Sequence, residues 1–509
     1  MKTTGFLLVC VVAISSWTHA AEHWQQYGGN CLHNPVAHSG VAPPLAQPRW
    51  TALPDFELNA ASTPIVFDGT VYVYGLAYDW STSYVATYSV ADGSPGWQTP
   101  IDAGVQGSWS SSGIDPASGS VVIGSGRKVF SLDADTGESN WTTDLGTDIF
   151  NSSVTIADGR AFISNSTALV TSSGGGQGKL FALNLGATDD EPGAILWSAP
   201  LGVTSGCTPA YYARAGGAAA FVIVADADGW IRAVNAETGG EEWTYRVPDP
   251  NNYQTPPAWR WTPGGTFWGG VSIEGDSAYA ASYGFYGGED NSFLYKLNAL
   301  TGDFGWRTPS ERSSSVPVIV GNTVLLCGGL HTYGVPKIEA FAKDTGAKLW
   351  EFTDAGGRDH TPAVVNGVCY VGTAPVSVGS CYLTLYALDL SLTPDDAEFV
   401  LSSRDGAGGT PAYAQGNIYS VGADGLQAFG EAPPEHAWPI DGDANLDCTV
   451  NILDLIFVRN KLNRDPASGD NWQADVTGDG SINILDMIFI RNALNTQCPS
   501  MAIPIESEQ

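Results

Sequence analysis

Two twelve-residue stretches near the C-terminus place oxygen-bearing side chains where they could enclose a hard cation. The first, DANLDCTVNILD, runs from Asp443 to Asp454, and the second, DVTGDGSINILD, from Asp475 to Asp486. Positions 1, 3, 5, 9 and 12 are Asp443, Asn445, Asp447, Asn451 and Asp454 in one, and Asp475, Thr477, Asp479, Asn483 and Asp486 in the other. This is the ligand spacing of an EF-hand calcium loop, in which position 7 ligates through its backbone carbonyl. Thr449 and Ser481 stand there and need no special side chain. Asx-rich turns that merely cap two helices are the alternative. Two matched loops, starting 32 residues apart, favour two calcium ions.

The elements that must position these ligands are duplicated as well. NILDLIFVRNKLN begins at Asn451 and NILDMIFIRNALN at Asn483. Ile452, Leu455, Ile456 and Leu462 fall on one helical face, as do Ile484, Met487, Ile488 and Leu494. Position 12 is Asp, and no amphipathic helix precedes Asp443, so each unit is a loop followed by a helix.

Residues 441–498 thereby resemble a type I-like dockerin. The resemblance implies a small all-α module with two EF-hand-like loop-helix repeats, calcium dependence, and a cohesin-type protein module as partner. It places the recognition positions at Ile452, Leu453, Arg459 and Asn460, and at their identical mates Ile484, Leu485, Arg491 and Asn492. Such near-twofold symmetry would permit docking in two orientations. Thr477 replaces the usual Asn or Asp, which implies a weaker second site. The Ile-Leu pair departs from the hydroxyl pairs of many relatives and leaves the cohesin's identity open; simple helix-helix core is its alternative reading. Because the ends of a dockerin approach each other, a Cys448–Cys498 bridge is expected. Cys369 and Cys381 flank a predicted hairpin and are expected to pair across it, while Cys31, Cys207 and Cys327 stay unassigned.

The large N-terminal part repeats a different sentence. Apolar strands of period two lead to Thr-Gly and then Trp, as in RKVFSLDADTGESNW ending at Trp141 and GWIRAVNAETGGEEW ending at Trp243. Inner-strand starts fall near Ser62, Ser110, Ser152, Thr208, Gly270, Ser314, Thr361 and Thr410, at intervals of 42 to 62 residues. A lone four-stranded sheet cannot cover both faces, so such units must stack into a ring. The expected fold is mainly β, an eight-bladed propeller. The last unit stops at Gly430 without its outer strand, so the segment around Trp50 is expected to complete blade 8. The repeat resembles the PQQ-like (quinoprotein-type) propeller repeat, with WQQYGGN at Trp24 similar to its opening motif. That family builds both quinone-dependent alcohol dehydrogenases and pure scaffolds, so the resemblance carries fold rather than chemistry.

Residues 1–20 read as an export signal, with an apolar run too short to span a bilayer. The remaining divisions are the propeller (21–430), a linker (431–440), the dockerin-like module (441–498) and a tail (499–509). Secretion to the extracellular space or cell surface is expected, with the periplasm as alternative. Net charge is -31, from 53 acidic against 22 basic residues, which disfavours nucleic acid and anionic lipid as partners. No membrane insertion is expected.

Enzymatic signals are sparse. The insert from Val247 to Gly270 carries Trp259, Trp261 and Trp268, which could floor a pocket but read better as a cap on the ring's mouth. Arg358, Asp359 and His360 begin blade 7 on the channel side; acid-base work there is weighed against hydrogen bonding between blades. The vicinal cysteines of quinone-dependent dehydrogenases are missing, so a bound PQQ is not expected, and no catalytic residue is assigned. The favoured reading is a non-catalytic binding or scaffold propeller, displayed through the dockerin-like tag and offering its face to a glycan or protein. A tethered carbohydrate-active enzyme of polysaccharide breakdown is the alternative, and a quinone-dependent oxidoreductase the second.

Overall fold

A computed structural model describes residues 23–430, apart from 39, 60, 79–80, 103–109, 168–176, 205, 249–266, 285–288, 290, 331–334 and 374–382. It also describes residues 444, 452–464, 474, 476 and 481–494. Eight sheets form the propeller. Their inner strands are Ile65–Phe67, Gly113–Asp115, Thr155–Ala157, Ala210–Tyr212, Phe267–Glu274, Val318–Val320, Ala363–Val365 and Ala412–Ala414, numbered here as blades 1 to 8. Within a blade the strands run antiparallel in sequence order. In blade 3, for example, Arg160–Ser164, Lys179–Asn184 and Ile195–Pro200 follow the inner strand.

The Thr-Gly-Trp signature explains how blades stack. Gly302 takes φ 76° in the turn of blade 5. A Cβ there would lie 2.6 Å from the indole of Trp243, which comes from blade 4. The same indole donates Nε1–H to Ala299 O at 3.0 Å. Glycine is thus required twice, for the left-handed backbone and for the close approach. Trp50, Trp97, Trp141, Trp197 and Trp306 lie in the same way against Gly93, Gly137, Gly193, Gly239 and Gly346 of the following blade. Between docks, the inter-blade faces bury Val, Ile, Leu and Phe. Nearer the axis, hydroxyls bridge neighbours: Thr63 N–H donates to Ser111 Oγ, Ser111 N–H to Ser153 Oγ, and Ser153 N–H to Thr208 Oγ1, at 2.9 to 3.0 Å.

Blade 8 has three strands from the C-terminal end of the ring and a fourth, Trp50–Ala52, which pairs antiparallel with Gly425–Phe429. Two blades gain a fifth strand: Val36–Ala37 adds parallel to the inner strand of blade 7, and Glu57–Leu58 pairs with Thr70–Leu76 in blade 1. Blade 5 holds the expected start near Gly270 inside a longer strand. Its inner strand begins at Phe267 and is bulged before Val271. Gly269 and Gly270 lie so close to Ser315 and Val316 of blade 6 that a Cβ on either would clash. Trp268 therefore belongs to a strand and not to the preceding insert.

Two helices follow, α1 (Ile452–Lys461) and α2 (Ile484–Ala493). They pack through Val458, Ile490, Ile482, Val476, Ala444 and Ala474. No helix among the described residues is long and apolar enough to cross a membrane.

Candidate functional site

Each repeated loop delivers its position-12 carboxylate into the first turn of a helix. Asp454 and Asp486 are both fully buried. A carboxylate is costly to bury unless a cation or hydrogen bonds answer its charge. Asp486 Oδ2 accepts from Asn483 N–H at 2.8 Å, and Asn483 Oδ1 accepts from Leu485 N–H at 2.8 Å, a reciprocal cap on α2. The cap fixes Asn483 and Asp486, positions 9 and 12, beside the Ser481 carbonyl of position 7. These oxygens suit a hard cation, and a calcium ion held there would supply the positive charge that ties loop to helix. Asp443, Asn445, Asp447, Thr449, Asn451, Asp475, Thr477 and Asp479 lie outside the described residues, as do Cys448 and Cys498.

The outward face of the two helices is apolar at its start and basic at its end. Ile452, Ile456, Ile484, Leu485 and Ile488 are exposed, and so are Arg459, Asn460 and Arg491. Ile452 and Ile484 are each 61% exposed, which decides against their serving as core between the helices. Leu453 and Asn492 sit in their helices, and nothing further is described of their side chains. Ile456 and Ile488, which share the apolar face read from the spacing, are exposed as well. They extend the same face by one turn.

In the ring, the chain's own residues fill one end of the channel. Tyr27 reaches across to Thr361 Oγ1 at 2.7 Å, and burial pushes its phenol up to about 12. His33 stands edge-on to Tyr27 and contacts Val271 O and Thr155 Oγ1, joining blades 3 and 5. Burial lowers its pKa to about 4, so the imidazole is neutral at pH 7. The WQQYGGN motif is legible in the sequence, but this plug is not. Its signal was there, in the polar side chains Gln26, His33 and Asn34 set among apolar and glycine residues.

Asp359 is committed to Arg358, at 3.0 Å, and accepts from Ser314 Oγ at 3.1 Å. The neighbouring Asp359 charge holds the Arg358 guanidinium protonated. Arg358 also donates to Tyr283 Oη at 2.7 Å, and Trp268 stacks on Tyr283 at 5.2 Å. His360 is buried, with its pKa driven down to about 4 by desolvation. This cluster ties blades 5, 6 and 7 together, which is the hydrogen-bonding reading of Arg358-Asp359-His360. Trp259 and Trp261 lie outside the described residues. A three-carboxylate group, Glu289, Glu339 and Glu351, has metal-like proximity. Its charge is answered by Lys337 and Lys348, with Lys348 Nζ 2.7 Å from the buried Glu339.

Cys369 carries a free, buried thiol, so the expected bridge to Cys381 is not formed by it; Cys381 itself lies outside the described residues. The reason is strand alternation, which turns Cys369 into the core between blades 6 and 7, beside Cys327, Leu325 and Ile338. Cys31 and Cys327 are free thiols too, and the Cys207 thiol donates to Phe267 O at 3.1 Å.

Comparison with known proteins agrees with this architecture. Residues 81–252 and 183–332 match the family described as Outer membrane protein assembly factor BamB, and residues 441–495 match the Dockerin type I domain. Outer membrane protein assembly factor BamB of Burkholderia pseudomallei is 28% identical over 282 residues, covering 53% of this chain. The chain spans 62% of that relative's length. BamB from Moraxella catarrhalis superposes with a TM-score of 0.51 at 18% identity, over 77% of this chain and 99% of that one. A quinohemoprotein alcohol dehydrogenase from Pseudomonas putida gives a TM-score of 0.57 at 15% identity, over 78% of this chain and 75% of that one. Identities so low establish the fold alone. The dockerin domain implies calcium and a cohesin partner. The chain is an eight-bladed β-propeller of PQQ-like repeats that carries a C-terminal dockerin type I domain.

Proposed function

We propose that this is a secreted, non-catalytic binding or scaffold propeller, held on a cohesin-bearing partner by two calcium-ordered loop-helix repeats. The observation that carries this reading is the pairing of buried position-12 carboxylates, Asp454 and Asp486, with an exposed and repeated Ile/Arg face on the same helices. The ions would be held by Asp443, Asn445, Asp447, Thr449, Asn451 and Asp454, and by Asp475, Thr477, Asp479, Ser481, Asn483 and Asp486. Ile452, Leu453, Arg459 and Asn460, with Ile484, Leu485, Arg491 and Asn492, would meet the cohesin, joined by Ile456 and Ile488. The non-catalytic reading is supported by the commitment of Asp359 to Arg358 and Ser314. A glycan or protein would bind the propeller.

The test presents the full chain to a panel of immobilised cohesins, with calcium and with chelator, and assays the same chain for reducing-sugar release from polysaccharides. Calcium-dependent retention without sugar release is expected. No retention by any cohesin would end the tethering proposal. Sugar release that survives repurification would replace the scaffold reading with the carbohydrate-active one.

A further inference from the structure

The N-terminal segment touches every blade in turn. Trp24 exchanges two backbone hydrogen bonds with Val66 of blade 1, and Gln25 O accepts from Ile114 N–H of blade 2. Gln26 makes a paired amide contact with the Ile156 backbone of blade 3. Cys31 O accepts from Tyr211 N–H of blade 4, and Leu32 O from Ile273 N–H of blade 5. Asn34 pairs with both backbone groups of Ile319 in blade 6. Pro35 O accepts from Val364 N–H of blade 7, and Gly40 packs under Tyr413 of blade 8.

The segment then turns outward along the joint between blades 7 and 8. Tyr370 Oη donates to Pro43 O at 2.6 Å, Leu45 N–H donates to Ser402 Oγ at 3.0 Å, and Arg49 N–H donates to Ala428 O at 2.7 Å. Leu45 is buried in the core shared by blades 7, 8 and 1. This joint lacks the tryptophan dock. In blades 3, 4 and 6, Trp197, Trp243 and Trp350 face Ala182, Ala233 and Ala340 across the outer strand pair. In blade 7 the equivalent residue, facing Ala387, is Ser402. The topology says why. A dock needs a turn between the third and fourth strands of the next blade, a glycine hairpin in most blades and, in blade 7, the loop whose Phe399 receives Trp350. In blade 8 those strands are Gly425–Phe429 and Trp50–Ala52, from opposite ends of the ring, and no turn joins them. A tryptophan at 402 would have nothing to receive it.

We propose that residues 40–48 are the substitute dock of this joint, so that the N-terminal segment is one clamp whose release opens the ring between blades 7 and 8 alone. The test uses the full chain in calcium with a protease site inserted between Ala46 and Gln47, both exposed. After cleavage, amide hydrogen exchange should rise about tenfold or more in Val400–Asp405, Ala412–Ala414, Asn417–Gly422 and Gly425–Phe429, while blades 2 to 4 stay within about twofold. Leu45→Ala, which inserts nothing, should give the same pattern at lower amplitude. Trp141→Ala should instead loosen blades 2 and 3. A rise spread evenly over all blades, or no rise in blades 7 and 8 for either variant, would overturn the proposal.

Discussion

At the scale of the residue, three side chains carry separable consequences. Asp486 is the buried position-12 ligand of the second loop and also half of a helix cap. Asp486→Asn keeps a hydrogen-bond acceptor but removes the charge. It should abolish one calcium site while α2 stays helical in calcium, checked by calcium titration alongside circular dichroism. His33 is buried neutral, its pKa lowered from 6.5 to about 4. The unfolded chain therefore binds a proton that the folded chain refuses between those values. Stability from this site is complete above pH 6.5 and is lost as pH falls toward 4, by up to about 3 kcal/mol at 1.36 kcal/mol per pH unit. The buried carboxyls of Glu339 and Asp226 are raised and oppose this trend in part. The difference between wild type and His33→Gln isolates it: denaturant melts should show the gap narrowing on acidification, and a constant gap would contradict the assignment. Gly302 and Trp243 form a coupled pair. Trp243→Ala should cost about 3 kcal/mol. Gly302→Ala should cost less in the Trp243→Ala background than alone, because the clash with the indole is gone while the backbone strain remains.

At the scale of the element, much was legible because the signals are local and repeated. Thr-Gly-Trp marks a hairpin turn and a packing residue in a dozen letters, and the count of inner-strand starts gave the number of blades. The loop-helix repeats were legible because ligand spacing and helical periodicity coincide at Asn451–Asp454 and Asn483–Asp486. What stayed hidden depends on contacts distant in sequence. Nothing near Asn34 announces that its amide would pair with Ile319, 285 positions away. Cys369 looked like a hairpin bridge from its spacing, yet its direction is set by its neighbours in the strand. The glycine pair at 269 and 270 does not end the blade 5 inner strand; it lets that strand approach the next one. Ile456 and Ile488 fit an apolar stripe, and periodicity alone does not say which side of a stripe is covered.

At the scale of the whole molecule, both termini of the ring meet in blade 8. Gly430 leaves beside Gly416 and Asn417, the turn that follows the inner strand, and in blade 7 the equivalent turn residue, Asn366, donates its N–H to Ala37 O of the N-terminal segment. With calcium as the organising force of one part and apolar stacking that of the other, the two should melt independently. Calorimetry of the full chain should show a calcium-dependent transition for residues 441–498 and a second transition, for the ring, that chelator leaves in place. A single transition that shifts as a whole with calcium would mean the parts are coupled.

The most direct test of the tether is isothermal titration of calcium into the full chain after chelator treatment. Two ions per chain are predicted, falling to one in Asp454→Asn and in Asp486→Asn. No calcium uptake by the wild-type chain would contradict this reading, because a tether ordered by two bound ions cannot form without them.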